Sequence, residues 1–520
     1  MNKDNGPIPT SPLFALINKD SYGSVNRGNK SINSASAIPN WLQGCLIRNG
    51  PGSLKVGDNE FCHLFDSSAL LHRFAIKNGK ITYQCRFLRS ETFKRNWAAN
   101  RIVLTEFGTK SVPDPCRTIF QRIAAIFTSK LSDNAMISVY PFGDELYTFC
   151  EIPIIHKINP ETLSTEMKVD IGKYVSILNH TSHPHVVRDG TVYNLGLSLF
   201  PSGLHHIIVC YPKKEIGEDK MMFEKAKIVG AVPARWPLHP SYMHTFGITE
   251  NYFVIVEQPL SVSIPQMAIL KLKEEPLAGC FQWYQDEYTR ISVISRQTGN
   301  VSHTFYAEAF FYLHIIHQYE VDDYIVLDIC IYRDPSMLDC MYIETMRELC
   351  NLDSIIYATQ SKLCKYVPSR PARFVLPLNP DIRRKEVSEN LVSLENTNAR
   401  AHYLPDGKIF VEPEQICNLG CETPRINYDH YLSKPYRYFY AISSDVDAEN
   451  PGTLIKVDVS MKTAKTWCEK KLEPVFVPHH DFQQEDDGVV LAAMIWGGED
   501  TNHVGLIILD AKTFYRIRQS

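Results

Sequence analysis

The sequence is short of several things, and each shortage closes off a class of function. No apolar run reaches about 18 residues, so no segment qualifies as a membrane-spanning helix. Basic charge is not in excess. There are 54 Lys+Arg against 58 Asp+Glu, a formal net of −4, so no general basic field and no nucleic-acid partner are expected. The 14 cysteines include no CxxC pair, the closest two being Cys417 and Cys421, which argues against a thiolate zinc site. The opening MNKDNGPIPTSPLF lacks a basic stretch followed by an apolar one, so free thiols in a reducing, cytoplasmic setting are expected. No HExxH is present, which excludes a zincin. No WD or Kelch-type repeat is visible.

What is present is a long series of short apolar runs. Residues 1–37 are rich in Ser, Asn, Gly and Lys and are expected to be a loose extension. From Ile38 to Ser520 the character is constant. Runs such as GKITYQCRFL, GTVYNLGLSLF, ENYFVIVEQPL, DDYIVLDICIY and GLIILDAK are bounded by Gly, Pro, Asn and Asp. They predict strands joined by turns, with too few helical stretches between them for a parallel sheet. A large all-β chain, a propeller or stacked sandwiches, follows. Two segments depart from this pattern. Residues 335–350, PSMLDCMYIETMRELC, predict a helix that covers something. Residues 117–130, RTIFQRIAAIFTSK, place Ile119, Phe120, Ile123, Ile126 and Phe127 at helical spacing beside Arg117, Arg122 and Lys130. Such a helix packs on the core or lies on a membrane surface.

The 18 histidines carry the chemical signal as a set. NHTSHPH holds His180, His183 and His185. SYMHTFG holds His244, FFYLHIIHQYE holds His314 and His317, and VFVPHHD holds His479 and His480. Each group borders an apolar strand and the groups lie far apart in sequence. A closed β fold would deliver one imidazole per strand to a common axis, where imidazole suits iron, zinc, copper or nickel. For any one histidine alone a structural role is the better expectation. His156, His402, His430 and His503 are expected in polar loops. Ligand imidazoles need the other ring nitrogen fixed, usually by a carboxylate. Glu151, Glu422 and Glu473 lie in apolar surroundings and are candidates, the alternative being strand-end surface charges.

From about Ile38 onward the sequence resembles the carotenoid cleavage oxygenase family, animal branch. The segments that carry the resemblance include WLQGCLIRNGPG (41–52), HLFDSSALLHRF (63–74), PDPCRTIF (113–120), SHPH (182–185), SYMHTFGITENY (241–252), EQP (257–259), PRINY (424–428), EPVFVP (473–478) and IILDAK (507–512). The resemblance implies a seven-bladed β-propeller with a helical cap over an axial metal site. It implies Fe(II) held by four histidines, three glutamates orienting three of the imidazoles, and a hydrophobic tunnel that receives a polyene from a membrane. Position by position, His183, His244 and His314 match ligands, and Glu151, Glu422 and Glu473 match the orienting acids. His180, His185, His317, His479 and His480 match none. The fourth ligand belongs to an HGxF or HGxW motif beyond IILDAK. The residues after it read TFYRIRQS, so the resemblance leaves three imidazoles and implies weaker iron retention and low or absent cleavage. Ser67 replaces the Gly of the family's FDG, which would be strained at positive φ. His317 replaces the Asn of HVNxYE, and Ile315 the second His of FHH.

The implied activity is oxidative cleavage of a carotenoid by Fe(II) and O2, at the central 15,15′ double bond of β-carotene, to retinal-type aldehydes, with cis–trans isomerisation as an added possibility. The alternatives are a carotenoid- or retinoid-binding protein without turnover and a retinoid isomerase. Tyr242 is a candidate tunnel wall that stabilises positive charge on the polyene. Cys116, Ile119, Phe120, Ile123 and Phe127 are candidate membrane contacts, Cys116 with the option of S-acylation. Peripheral membrane association is therefore expected.

Overall fold

A computed structural model describes residues 30–32, 38–112, 132–215, 217–351, 368–379, 389–443, 453–467, 472–495 and 504–517. The apolar runs form antiparallel sheets, and seven of these are the blades of a β-propeller. The innermost strands, in order, are Gly44–Ser53, Ser138–Phe142, the broken pair Asn179–His180 and His185–Val186, Gly247–Ile248, Phe311–Val321, Glu422–Arg425 and Leu472–Pro478. The all-β propeller expected from the family resemblance is the fold observed.

The packing explains why the runs are so uniformly apolar. Each middle strand is sandwiched between two neighbouring blades, so both of its faces are buried. Tyr324–Tyr332 is buried almost throughout. The polar exception, Asp328, is paired with Arg373 at 2.7 and 2.8 Å and accepts the Tyr436 hydroxyl at 2.7 Å. The core is correspondingly divided into wedges between blades. Val254, Ile291, Leu327 and Phe374 fill the wedge between the fourth and fifth blades. Phe74, Ile76 and Ile81 of the first blade pack with Val489, Leu491 and Ile508 of the seventh, which closes the ring. Each such side chain, fully buried, contributes about 2 kcal/mol.

Two segments extend blades by backbone pairing. Lys30–Ile32 adds the outermost strand of the first blade by pairing with Lys80–Phe87, so the segment expected to be loose contributes a strand. The hairpin Arg400–Tyr403 and Ile409–Glu412 leaves the fifth blade and extends the fourth through a parallel pairing with Val301–Ala307. The chain then returns as Glu414–Gln415 at the edge of the fifth.

Helices are few and short among the described residues. The stretch expected to be one helix is two, Ser336–Cys340 and Ile343–Asn351. They lie against residues 62–64: Ile343 N donates to Cys62 O at 2.8 Å and Leu64 N to Met341 O at 3.0 Å. No helix among the described residues is long and apolar enough to cross a membrane. Ser67 has φ −60°, so the strain expected from replacing glycine does not arise. Its hydroxyl donates to Leu64 O at 2.7 Å. His156 is not in a polar loop. It lies in the strand Ile154–Ile158, 2% exposed and 3.5 Å from Asp133, because the apolar residues around it form a blade strand. Cys116, Ile119, Phe120, Ile123 and Phe127 lie outside the described residues.

Candidate metal centre

Irregularities in three inner strands bring three imidazoles to the axis. The inner strand of the third blade is broken at Thr181–Pro184, where Pro184 has no N–H to continue the ladder. The break is held by Asn194. Its Oδ1 accepts the Thr181 hydroxyl at 2.6 Å and its Nδ2 donates to Thr181 O at 2.9 Å. His183 projects from this break. His244 stands on the run into Gly247–Ile248. His314 sits at a bulge in Phe311–Val321, where the register shifts between Tyr312 and Ile315. The Thr245 hydroxyl fills the gap in that ladder, donating to Leu313 O at 2.7 Å and accepting from Ile315 N at 3.2 Å.

The potential ligand atoms of His183, His244 and His314 all lie within 4.8 Å of one another. The Nε2 atoms of His183 and His244 are 3.0 Å apart. At a metal–nitrogen distance of about 2.1 Å, two ligands at right angles have this separation, so the residues present fit a transition-metal ion. The other ring nitrogens turn outward. His244 Nδ1 is 2.8 Å from Glu151 Oε1, and His314 Nδ1 is 2.5 Å from Glu422 Oε2. Among the described residues His183 Nδ1 has no carboxylate beside it; Tyr140 Oη lies 3.5 Å away. Each carboxylate fixes the tautomer that leaves Nε2 with its lone pair facing the axis.

Electrostatics favour the neutral imidazole. Burial pushes His183 well below the usual histidine range, and the neighbouring His244 and His314 push the same way. Burial lowers His314 as well, against the pull of Glu422. Burial opposes the charge of Glu422, but His314, the Tyr332 phenol and the Thr423 amide together hold it below the ordinary glutamate value. At neutral pH the pair is therefore carboxylate and neutral imidazole, the protonation state a metal ligand needs.

Several residues that shape the site gave no sign of it in the sequence. Gln258 is fully buried; it donates to Tyr242 O at 3.0 Å and accepts from Tyr312 N at 2.8 Å, which ties the run carrying His244 to the strand carrying His314. Thr423 has φ +49°, an uncommon conformation for a β-branched residue. Its strained amide donates to Glu422 Oε2 at 3.0 Å. Tyr332, from the fifth blade, donates its hydroxyl to Glu422 Oε1 at 2.6 Å. None of these contacts is local in sequence except that of Thr423.

The other singled-out histidines are accounted for without a ligand. His185 bonds Tyr428 Oη at 2.7 Å and Phe246 O at 2.9 Å, and His317 bonds Lys434 O at 2.9 Å. His479, His480 and Asp481 form a second cluster on an exposed hairpin. His479 packs edge-on to Trp41, and His480 pairs with Asp481 at 2.9 Å. Glu473 lies in the inner strand of the seventh blade, opposite Ala493. Its side chain is outside the described residues.

The three imidazoles line a cavity of about 1640 Å³. That exceeds the 300–1,000 Å³ of ordinary small-ligand pockets. Leu46, Met136, Val139, Leu313, Phe107 and Phe281 supply apolar wall, and Tyr242 is part of the lining. Such a volume with so much hydrocarbon surface suits a large apolar molecule held against a metal.

Comparison with known proteins agrees with this geometry. The family model described as retinal pigment epithelial membrane protein matches residues 31–518. A carotenoid isomerooxygenase of Galleria mellonella is 52% identical, over 91% of this chain and 87% of its own length. The carotenoid isomerooxygenase of Drosophila melanogaster is 47% identical, over 92% of this chain and 85% of its own. The β,β-carotene 15,15′-dioxygenase of Gallus gallus is 39% identical, over 92% and 90%. Among solved structures, a cobalt-substituted apocarotenoid oxygenase of Synechocystis superposes with a TM-score of 0.72 at 19% identity, over 99% of this chain and 98% of that one. The chain belongs to the carotenoid cleavage oxygenase family, that of the retinal pigment epithelial membrane protein.

Proposed function

We propose that the chain is an iron(II)-dependent oxygenase that cleaves a carotenoid at its central double bond and isomerises one of the products. The observation that carries this reading is the convergence of three imidazoles, two of them backed by carboxylates, inside a large and mainly apolar cavity. The isomerising variant is favoured over simple cleavage because the relatives at 52% and 47% identity are carotenoid isomerooxygenases, against 39% for a dioxygenase. His183, His244 and His314 would hold the iron, which supplies a centre for activating O2. Glu151 and Glu422 hold the imidazoles in the required tautomer. The apolar walls hold the polyene in register and exclude water, so that positioning carries much of the rate. One O2 supplies one oxygen atom to each carbon of the broken double bond, which leaves two aldehydes.

The test is single: the full chain loaded with iron, incubated with micellar β-carotene under ¹⁸O2, with products separated by isomer. The expected result is two retinal-type aldehydes, each carrying label, one of them cis. Aldehydes with no cis isomer would reduce the reading to cleavage. Bound but unconverted carotenoid at full iron content would make the chain a binding protein. Conversion of a retinoid without label would make it an isomerase.

The surface supports delivery of the substrate from a lipid bilayer. Helix Ile264–Leu272 has no buried residue, and Ile269 and Leu272 are 44% and 55% exposed. Ile264 N bonds Leu238 O, and Leu238 is 55% exposed. The chain after this helix returns to the cavity wall, where Leu277 N donates to Glu106 O and Leu277 and Phe281 line the cavity. An apolar surface with Lys271 and Lys273 beside it thus adjoins the cavity wall, as an interfacial helix would. Ile269→Glu with Leu272→Glu is expected to lower co-flotation with liposomes at least about tenfold, since each buried aliphatic side chain is worth about 2 kcal/mol. Unchanged flotation would remove this helix as the contact.

A further inference from the structure

We propose that Tyr242 and Tyr332 are positioning residues that set two of the three imidazoles through the glutamates, so that the site is built from two Tyr–Glu–His chains and one histidine without such a chain. The inference rests on the metal-binding reading of the site. The geometry occurs twice, on unrelated stretches of sequence. The Tyr242 hydroxyl donates to Glu151 Oε1 at 2.5 Å, the same oxygen is 2.8 Å from His244 Nδ1, and the hydroxyl itself lies 3.1 Å from that nitrogen, so here the three groups close a triangle around one carboxylate oxygen. The Tyr332 hydroxyl donates to Glu422 Oε1 at 2.6 Å, while Oε2 takes His314 Nδ1 at 2.5 Å. Tyr242 comes from the run into the fourth blade and Tyr332 from the second strand of the fifth, yet each phenol ends on the carboxylate behind a metal-facing ring. His183 has Tyr140 at 3.5 Å and, among the described residues, no acid between them.

The physical effect is on the carboxylate. A glutamate that accepts a single hydrogen bond still has freedom to turn about its terminal torsion, which is broad. A second donor of good geometry removes that freedom and fixes the plane in which the imidazole N–H must lie. The phenol also withdraws part of the carboxylate charge, which moderates how basic the imidazole becomes. The rings have separate packing roles. Tyr242 lies 5.3 Å from Phe281 and Tyr332 lies 5.6 Å from Phe311, both between ring centroids. Phenylalanine keeps that packing and deletes only the hydroxyl.

The substitutions Tyr242→Phe and Tyr332→Phe therefore separate the positioning role from an aromatic-wall role. The measurement is titration of the full apo chain with Co(II), without carotenoid, read by competition with a chelator and by the visible ligand-field bands. Each substitution is expected to weaken Co(II) binding about 10- to 100-fold, the size seen for residues behind metal ligands, and to shift the bands. Tyr140→Phe, beside the histidine with no carboxylate, is expected to change binding less than about threefold. In a double-mutant cycle, Tyr332→Phe should lose most of its effect once Glu422 is Gln, because the two act in one chain. A merely structural tyrosine would add its effect instead. If the wild-type chain binds Co(II) and both Phe variants bind it equally well, the positioning role is overturned while the metal site stands. If the wild-type chain binds no Co(II), the metal reading falls and this inference falls with it.

Discussion

His314→Ala is expected to leave a folded chain that holds less than about a tenth of the wild-type iron and cleaves carotenoid at least about 100-fold more slowly. Removal of residues behind a ligand already costs about 10- to 100-fold in affinity, and His314 is one of the three rings that face the axis. Its loss acts twice. It removes an Nε2 donor, and it leaves Glu422 with only the Tyr332 hydroxyl and the Thr423 amide for a buried charge. The paired comparison is His185→Ala. His185 also lines the cavity, but its two nitrogens are taken by Tyr428 and the Phe246 carbonyl. It should lose stability and keep its iron. Metal analysis of the two purified proteins decides the matter: full iron in His314→Ala would refute the three-imidazole site.

Much of the architecture could be read from the chain because propeller strands announce themselves by composition. A strand buried on both faces, such as Tyr324–Tyr332, has to be apolar almost throughout, and turns have to interrupt it. The number of blades could not be read this way. Blades here share no motif, and the fourth takes two strands from a hairpin that interrupts the fifth. The seven-bladed expectation came from resemblance alone.

The site divides along the same line. His183, His244 and His314 stood out only as members of a set of histidine groups, each bordering an apolar strand and far from the others in sequence. Which of them meet was supplied by the family pattern, since only the closed ring brings residues from the third, fourth and fifth blades to one point. The roles of Tyr332, Gln258 and Thr245 were invisible for a physical reason, although Gln258 and Thr245 lie in segments that carry the family resemblance. Tyrosine on an apolar strand is ordinary core, and a glutamine or threonine is ordinary anywhere. Their roles depend on partners from other runs or blades, reached only after the ring has closed. His156 went the other way. Its neighbours are isoleucines, and that context should have outweighed the polarity of the ring.

Acid is expected to loosen the propeller well above the carboxylate range. His63, His180 and His317 are 0%, 3% and 3% exposed, and burial lowers each to about 4. The unfolded value is about 6.5. A group whose native pKa is depressed takes its proton preferentially when unfolded, so its stabilisation is intact above pH 6.5 and is lost as pH falls toward 4. Between pH 7 and 5 each of the three forfeits about 2 kcal/mol. Asp66 acts in the opposite sense. Burial raises it to about 6, so the native state gains the proton first and recovers about 1 kcal/mol over the same interval. Glu485, raised by burial to about 7, acts in the same sense as Asp66, while His72 and His185, also lowered by burial to about 4, join the other histidines. The histidines outnumber the acids, so the net effect of acid is loss of stability, by several kcal/mol against the 5–15 kcal/mol by which domains are usually stable. Urea midpoints measured at pH 7, 6 and 5 should therefore fall steeply, and unfolding at pH 5 should take up protons net. His317→Asn isolates one contributor. An amide can still donate to Lys434 O but cannot titrate, so this variant should lose about a fifth of the histidine slope, His63, His72, His180 and His185 carrying the rest. A midpoint that holds level from pH 7 to 5 would mean that these rings are solvated in the native chain, and that the wedges between the blades are wetter than their packing shows.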